Sequence, residues 1–192
     1  MIEGLVIADR FRLVRPLGRG GMGIVWVAHD QRLDSPCAIK FLLTSIDDRA
    51  RARFALEARS AAQLRSPNVV TVLDHGEADG VPYIAMELLD GEDLAARLAQ
   101  RGRLSTTRTF EIVGHVARAL ARAHAAGLIH RDLKPANIFL ARDDDREVVK
   151  VLDFGIAKAQ VARTSNSDAI AKNANEAQAL AMTATGVSRA LR

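Results

Sequence analysis

One cysteine, one tryptophan and one tyrosine stand among 192 residues, and aromatic side chains make up only 4% of the chain. A single thiol, Cys37, closes no internal disulfide and builds no thiolate metal cluster, which fits a reducing compartment and an expected cytoplasmic location. Its neighbours Ala38 and Ile39 mark it as a buried strand thiol. No apolar stretch approaches bilayer-spanning length, and the opening MIEGLVIADR lacks the basic start and long apolar run of a secretory signal, so no membrane segment is expected in this chain. Nor is there a long block of one charge sign. The 27 basic and 23 acidic residues leave a formal charge of +4, but the arginines are scattered among acids, which argues against nucleic acid as a partner. Disorder throughout is excluded by an apolar share of 48% beside 26% charged residues. The length suits one ordinary domain or two small lobes with a substantial core.

From Phe11 to Leu43, β-rich runs alternate with punctuation: FRLVRPL, GRGGMG, IVWVAHD, QRLDSP, CAIKFLL. That pattern predicts an antiparallel three-strand meander. Residues 47–64, DDRARARFALEARSAAQL, carry acids at the front and a helical period. VVTVLDHG and VPYIAMELL, separated by EADG, predict a hairpin and complete a first lobe of five strands and one helix. A short helix is expected in GEDLAARLAQRG, and a long one from the cap candidates Ser105 and Thr106 to a stop at Gly127. Val113, Val116, Leu120 and His124 recur along it at helical spacing, which predicts the packed face. NIFLA and VVKVL flank RDDDRE as a second small hairpin with DFG just beyond. From Ala159 the composition shifts to Ala, Asn, Ser and Thr, and this tail is expected to be mobile.

Four stretches could carry chemistry. Gly18, Gly20 and Gly23 in LGRGGMGIV form G-x-G-x-x-G, which by itself also fits an ordinary hairpin or a dinucleotide fold. Here the glycines join two strands, whereas a dinucleotide fold needs a helix after them. Missing side chains would let backbone N–H groups approach phosphate oxygens. Lys40 lies in an apolar strand on the face of Ala38 and Leu42, and Glu57 shares the helical stripe of Phe54, Ala58 and Ala61. Each charge could satisfy the other; alone, the lysine could snorkel and the acid could face solvent. In HRDLKPAN, Asp132 could take a proton from an attacking hydroxyl, Lys134 could neutralise a transferred phosphoryl group, and Asn137 could offer an oxygen to a metal. Asp153 in VLDFG offers the hard carboxylate that Mg²⁺ prefers, with Gly155 free to turn the backbone away. Taken singly, Asp132 reads as a turn acid, Asn137 as a cap and Asp153 as a strand-ending acid.

In this order, LGRGGMG, CAIK, the helix glutamate, HRDLKPAN and DFG make the sequence resemble a protein kinase from about Phe11 to Thr185. LKPAN, MGIVWVA and DFGIAKA are most similar to the bacterial Ser/Thr branch. The resemblance implies an α+β, two-lobed kinase fold that uses ATP and Mg²⁺ to phosphorylate Ser or Thr of protein substrates. It implies a nucleotide shell from Leu17 through Gly18, Arg19, Gly20, Gly21, Met22, Gly23 and Ile24 to Val25. Ala38, Val25 and Phe139 would enclose the adenine, and Met86, Glu87, Leu88 and Leu89 would form a hinge with Met86 as gatekeeper. Lys40 would position the α- and β-phosphates with Glu57 orienting it, Asp132 would be the base with Lys134 beside it, and Asn137 and Asp153 would hold the metal. Arg131 would answer a phosphorylated loop, the chain would self-associate or autophosphorylate at Thr183 and Thr185, and His130 would stack with Phe154.

The implied domains are an extension at 1–10, a small lobe at 11–89, a partial large lobe at 90–158, and a partial activation segment with a divergent tail at 159–192. The departure comes after TATGV, where the family continues and this chain reads SRALR. A chain truncated in the activation segment is therefore expected, with the apolar face of 111–126 short of its packing partner. Two other readings stay open: a non-catalytic ATP-binding or interaction module derived from a kinase, and a small-molecule phosphotransferase.

Overall fold

The computed structural model describes residues 1–20, 23–42 and 48–154; everything from Gly155 onward, including Thr183 and Thr185, lies outside the described residues. In chain order the strands and helices are β1 (Val6–Ile7), β2 (Phe11–Gly20), β3 (Gly23–Asp30), β4 (Ser35–Leu42), α1 (Asp48–Gln63), β5 (Val72–Ala78) and β6 (Val81–Glu87). They continue with β7 (Gly91–Asp93), α2 (Leu94–Arg101), α3 (Thr106–Ala125), a 3-10 turn at Pro135–Asn137, β8 (Ile138–Asp143) and β9 (Arg146–Val151).

The first sheet runs β1-β2-β3-β4-β6-β5, antiparallel throughout. It contains the five expected strands, and the two-residue β1 extends the edge because Ile7 buries itself beside Phe11 and Leu13. The β5–β6 hairpin turns at Asp79 and Gly80, both at positive φ (49° and 77°), the mirror-type turn that suits twisted strands. Side chains along β4 alternate as a pleated strand requires. Cys37, Ile39 and Phe41 enter the outer core with Trp26, Tyr83 and Ala85, while Leu42 faces Phe54 and Ala58 of α1. Burial pushes the Cys37 thiol up to about 11, so it is an inert packing group.

A buried ion pair ties the start of this sheet together. Arg10 grips Asp30 through Nε (2.9 Å) and Nη2 (2.6 Å) and reaches Asp74 with Nη1 at 2.8 Å. The hydrogen bond from Arg10 holds the fully buried Asp30 carboxyl below its usual range, helped by the backbone N–H groups of Arg32 and Leu33.

The second sheet, β7-β8-β9, packs with α2 and α3 around Leu94, Ile112, Val116, Leu140, Val149 and Val151. Ser105 caps α3 by accepting the Arg108 N–H, and Gly127, at φ 74°, ends the helical stretch. The buried stripe of α3 is Ile112, Val116, Ala119 and Ala123. Half of the expected face holds, with Val116 buried and Leu120 packed against the core, but Val113 is 57% exposed and His124 is exposed, because α3 is apolar on more than one side and Ala119 and Ala123 share the buried cluster with Val149 and Val151 of β9.

The segment after α1 stitches the two sheets. Val69 forms a parallel bridge with Val151, Val70 N–H donates to the Val151 carbonyl at 3.1 Å, and Val151 N–H donates to the Asn68 carbonyl at 2.9 Å. The buried Asn68 amide donates to Val149 O and to His115 Nδ1, both at 2.9 Å. Burial, with Arg118 and Arg108 nearby, lowers the His115 pKa below 6.5. An imidazole that must stay neutral to accept from Asn68 sets a pH dependence. The unfolded chain takes up this proton first, so the contribution is fully present above about pH 6.5 and is lost as pH falls toward the lower folded value. Urea unfolding at pH 7.5 and 5.5 should show lower stability at 5.5, and His115→Gln should flatten that difference. An unchanged slope in the variant would contradict it.

Candidate active site

Between the sheets lies a cleft of about 330 Å³. Leu17, Gly18, Val25 and Ala38 line one side, Phe139 and Leu152 the other, and Met86, Glu87, Leu88 and Leu89 the back. Such a volume, apolar above and below with a polar end, suits a flat base with a charged appendage. The polar end is an ion pair: Lys40 Nζ lies 2.6 Å from Asp153 Oδ2. Lys40 arrives on the face of β4 opposite Ile39, and Asp153 arrives two residues after β9 at φ 51°. Arg131 has φ 58°. Holding such side chains in the left-handed region costs on the order of 1 kcal/mol each, strain that the surrounding hydrogen bonds offset.

The loop after α3 is built around a buried histidine. His130 Nε2 is 2.7 Å from the Leu152 carbonyl, which can only accept, so Nε2 carries the proton. Nδ1 then accepts the Asp132 N–H at 3.3 Å, and the ring lies 5.0 Å from that of Phe154. This is the expected packing role, since it fixes the Asp132 backbone against the strand leading to Asp153. Lys134 Nζ donates to Asp132 Oδ2 at 3.0 Å. The buried Asn137 turns its amide nitrogen to the Asp132 carbonyl at 2.8 Å, and Leu152 N–H donates to the Asn137 carbonyl at 2.9 Å. Asp132, Lys134, Asn137 and Asp153 are thereby gathered on one hydrogen-bonded frame.

Glu57 is on the inward stripe of α1, with Phe54, Ala58 and Ala61 buried beside it. Its Oε1 meets Arg131 Nη1 at 3.2 Å, and the ion pair seen at Lys40 is with Asp153. The structure thus shows each charge with a partner other than the one expected from sequence. Among the described residues there is no group of three or more His, Cys, Asp or Glu able to hold a metal. Asn137 and Asp153 nevertheless fit Mg²⁺, which takes hard oxygen donors and usually keeps few protein ligands beside phosphates and water.

Other expected nucleotide residues fall differently. Gly23 is needed by the sheet: a Cβ there would sit 1.9 Å from the Phe41 carbonyl oxygen, whereas one at Gly18 would meet open space. Ile24 packs against the outer core and Arg19 is exposed. Gly21 and Met22 lie outside the described residues, as do the environment of Gly20 and the turn at Gly155. Pocket-lining residues that sequence reasoning missed are Val70, Gly91 and Leu152. Gly91 had a signal, a lone glycine before a predicted helix; at φ 137° it allows an approach to the Leu140 carbonyl that a Cβ would block.

Two sheets clasping a cleft, with a lysine–carboxylate pair at its end and an acid–lysine–asparagine loop beside it, define the class as the protein-kinase fold. The family profile described as Protein kinase domain matches residues 11–178, and the chain belongs to that family. Its relatives include the serine/threonine-protein kinase pkn3 of Myxococcus xanthus, 45% identical over 159 residues, covering 81% of this chain and 29% of that protein. Serine/threonine-protein kinase PknA of Mycobacterium tuberculosis is 42% identical over 163 residues, covering 81% of this chain and 37% of that one. The crystal structure of the Mycobacterium tuberculosis PknI kinase domain superposes with a TM-score of 0.75 at 37% identity, over 82% of this chain and 64% of that one. The chain therefore spans about a third of the curated relatives it matches. Among the described residues no helix is long and apolar enough to cross a membrane.

Proposed function

We propose that the cleft binds ATP with Mg²⁺ and that the chain transfers the γ-phosphoryl group to Ser or Thr hydroxyls of proteins. The observation that carries this reading is the Lys40–Asp153 pair closing the inner end of an apolar cleft, on the same frame as Asp132 and Asn137. The base would lie between Ala38 and Val25 on one side and Phe139 on the other, with its edge against the backbone of residues 86–89. Lys40 would hold the α- and β-phosphates, and Glu57, on the inward face of α1, would orient it once Asp153 engages the cation. Asn137 and Asp153 would hold the Mg²⁺, which supplies charge neutralisation at the β- and γ-phosphates.

The substrate hydroxyl oxygen attacks the γ-phosphorus as the bond to the β–γ bridging oxygen breaks; ADP leaves and the hydroxyl proton passes to Asp132. Lys134, bonded to Asp132, offsets charge on the group in transit. Lysine two residues after the acid supports Ser/Thr over Tyr acceptors by family resemblance. Thr183 and Thr185 are proposed as sites this chain or a second copy would modify.

One observation favours the non-catalytic reading. A groove of about 590 Å³, almost wholly apolar, runs under the loop and is lined by Leu98, Leu104, Ile112, Val113, Val116 and Leu133. Leu133 sits between Asp132 and Lys134, so support from this side bears on how firmly the acid is held. Incubation with γ-labelled ATP, Mg²⁺ and a generic basic protein, followed by phosphoamino-acid analysis, separates the readings. Label on Ser or Thr is expected; ATP binding with no label transferred to the protein would contradict the protein-kinase reading.

A further inference from the structure

Lys150 has no place in the chemistry above, yet it joins the two sheets at the back of the cleft. It lies in β9 opposite Phe139, the residue that floors the cleft, and its Nζ is 2.7 Å from Glu87 Oε1 at the end of β6. The ion pair is largely buried, with Lys150 15% and Glu87 28% exposed at the side chain. The same Oε1 accepts the Thr71 N–H at 2.7 Å, and Glu87 returns its own N–H to the Thr71 carbonyl at 3.0 Å. Thr71 in turn follows Val70, which is bonded to Val151 beside Lys150. A closed circuit therefore runs from Glu87 through Thr71, Val70 and Val151 to Lys150 and back to Glu87. Its only ionic link is the Lys150–Glu87 pair.

Resting on the reading of the cleft as a nucleotide site, we infer that Lys150 is a positioning residue: it clamps Glu87 and thereby fixes the backbone of residues 87–89 that the base must meet. A hydrogen-bonding edge helps binding most when it is held in place before the ligand arrives. Without the ammonium, the Glu87 carboxylate keeps one backbone donor, draws in water and loosens the start of this stretch. The phosphate end, at Lys40 and Asp153, is served by different side chains. Loss of the clamp therefore weakens recognition of the base and spares recognition of the phosphates.

The test uses the 192-residue chain with two probes, ADP and inorganic tripolyphosphate, each with Mg²⁺, titrated calorimetrically. Lys150→Met keeps the aliphatic stem and removes the charge. It should weaken ADP binding roughly five- to tenfold and leave tripolyphosphate within about twofold, and Lys150→Arg should restore ADP binding. Unchanged ADP affinity in Lys150→Met overturns the clamp, and so does an equal loss for both probes, which would mean general loosening. Should Lys150→Met fail to fold, Glu87→Gln removes the same charge pairing and is read by the same two probes. A wild-type chain that binds tripolyphosphate but not ADP, or neither, overturns the nucleotide reading itself and the clamp with it.

Discussion

Asp132→Asn should lower phosphoryl transfer about 1,000-fold while leaving Mg·ATP affinity within about threefold, because the amide cannot take up the hydroxyl proton as the bond to phosphorus forms. The substitution is close to isosteric. The backbone carbonyl of residue 132, which accepts from Asn137, and its N–H, which meets His130, both persist. Lys134 would keep an oxygen within reach in place of Oδ2. The loop should therefore stay folded, and a melting temperature within a few degrees of wild type is the control. Single-turnover transfer of labelled phosphate is the measurement. Activity within tenfold of wild type would mean that another group, or solvent, takes the proton.

Lys40→Met tests the other end of the same site and should cost on the order of 1,000-fold in transfer, with the larger part of the loss in kcat. The lysine stem is buried along β4, its side chain only 14% exposed, so methionine keeps an apolar stem of similar length while removing the charge. Asp153 then loses the cation 2.6 Å away, and negative charge gathers where the phosphates must sit. Lys40→Arg should not rescue activity, since a forked guanidinium is wider than the ammonium and cannot occupy the same point beside Asp153. Steady-state rates with Mg·ATP, together with melting curves for both variants, check this. Rescue by arginine would mean that only the presence of a cation matters.

Much of the fold could be read from the chain because its signals are local. Alternation along CAIKFLL put Lys40 on the face opposite Cys37, Ile39 and Phe41, and the helical stripe of α1 put Glu57 inward, as observed. Asp79 and Gly80 make the hairpin turn that EADG predicts. Helix α3 was harder. Its apolar residues occupy overlapping stripes, and periodicity cannot tell that Phe110 (73% exposed) and Val113 face outward while Ala119 and Ala123 pack inward. Small residues win the closest contact through shape, which a hydrophobic pattern does not encode.

The site divides in the same way. HRDLKPAN could be recognised because its groups are close in sequence and one loop holds them. Pairings across the cleft were not legible. Lys40 meets Asp153 and Lys150 meets Glu87 over separations that only the packing of two sheets creates. Gly23 carries a related lesson: it lies within a phosphate-loop motif, but the close approach of Phe41 already demands glycine there.

The central claim is that Lys40, Asn137 and Asp153 converge on one triphosphate and its cation. Calorimetric titration of the chain with ATP, with and without Mg²⁺, against an Asp153→Ala variant, tests it most directly. The account predicts one-to-one binding in the wild type that strengthens at least about tenfold when Mg²⁺ is added, a gain that the variant does not show. Binding that ignores Mg²⁺, or a gain that survives in Asp153→Ala, would contradict it.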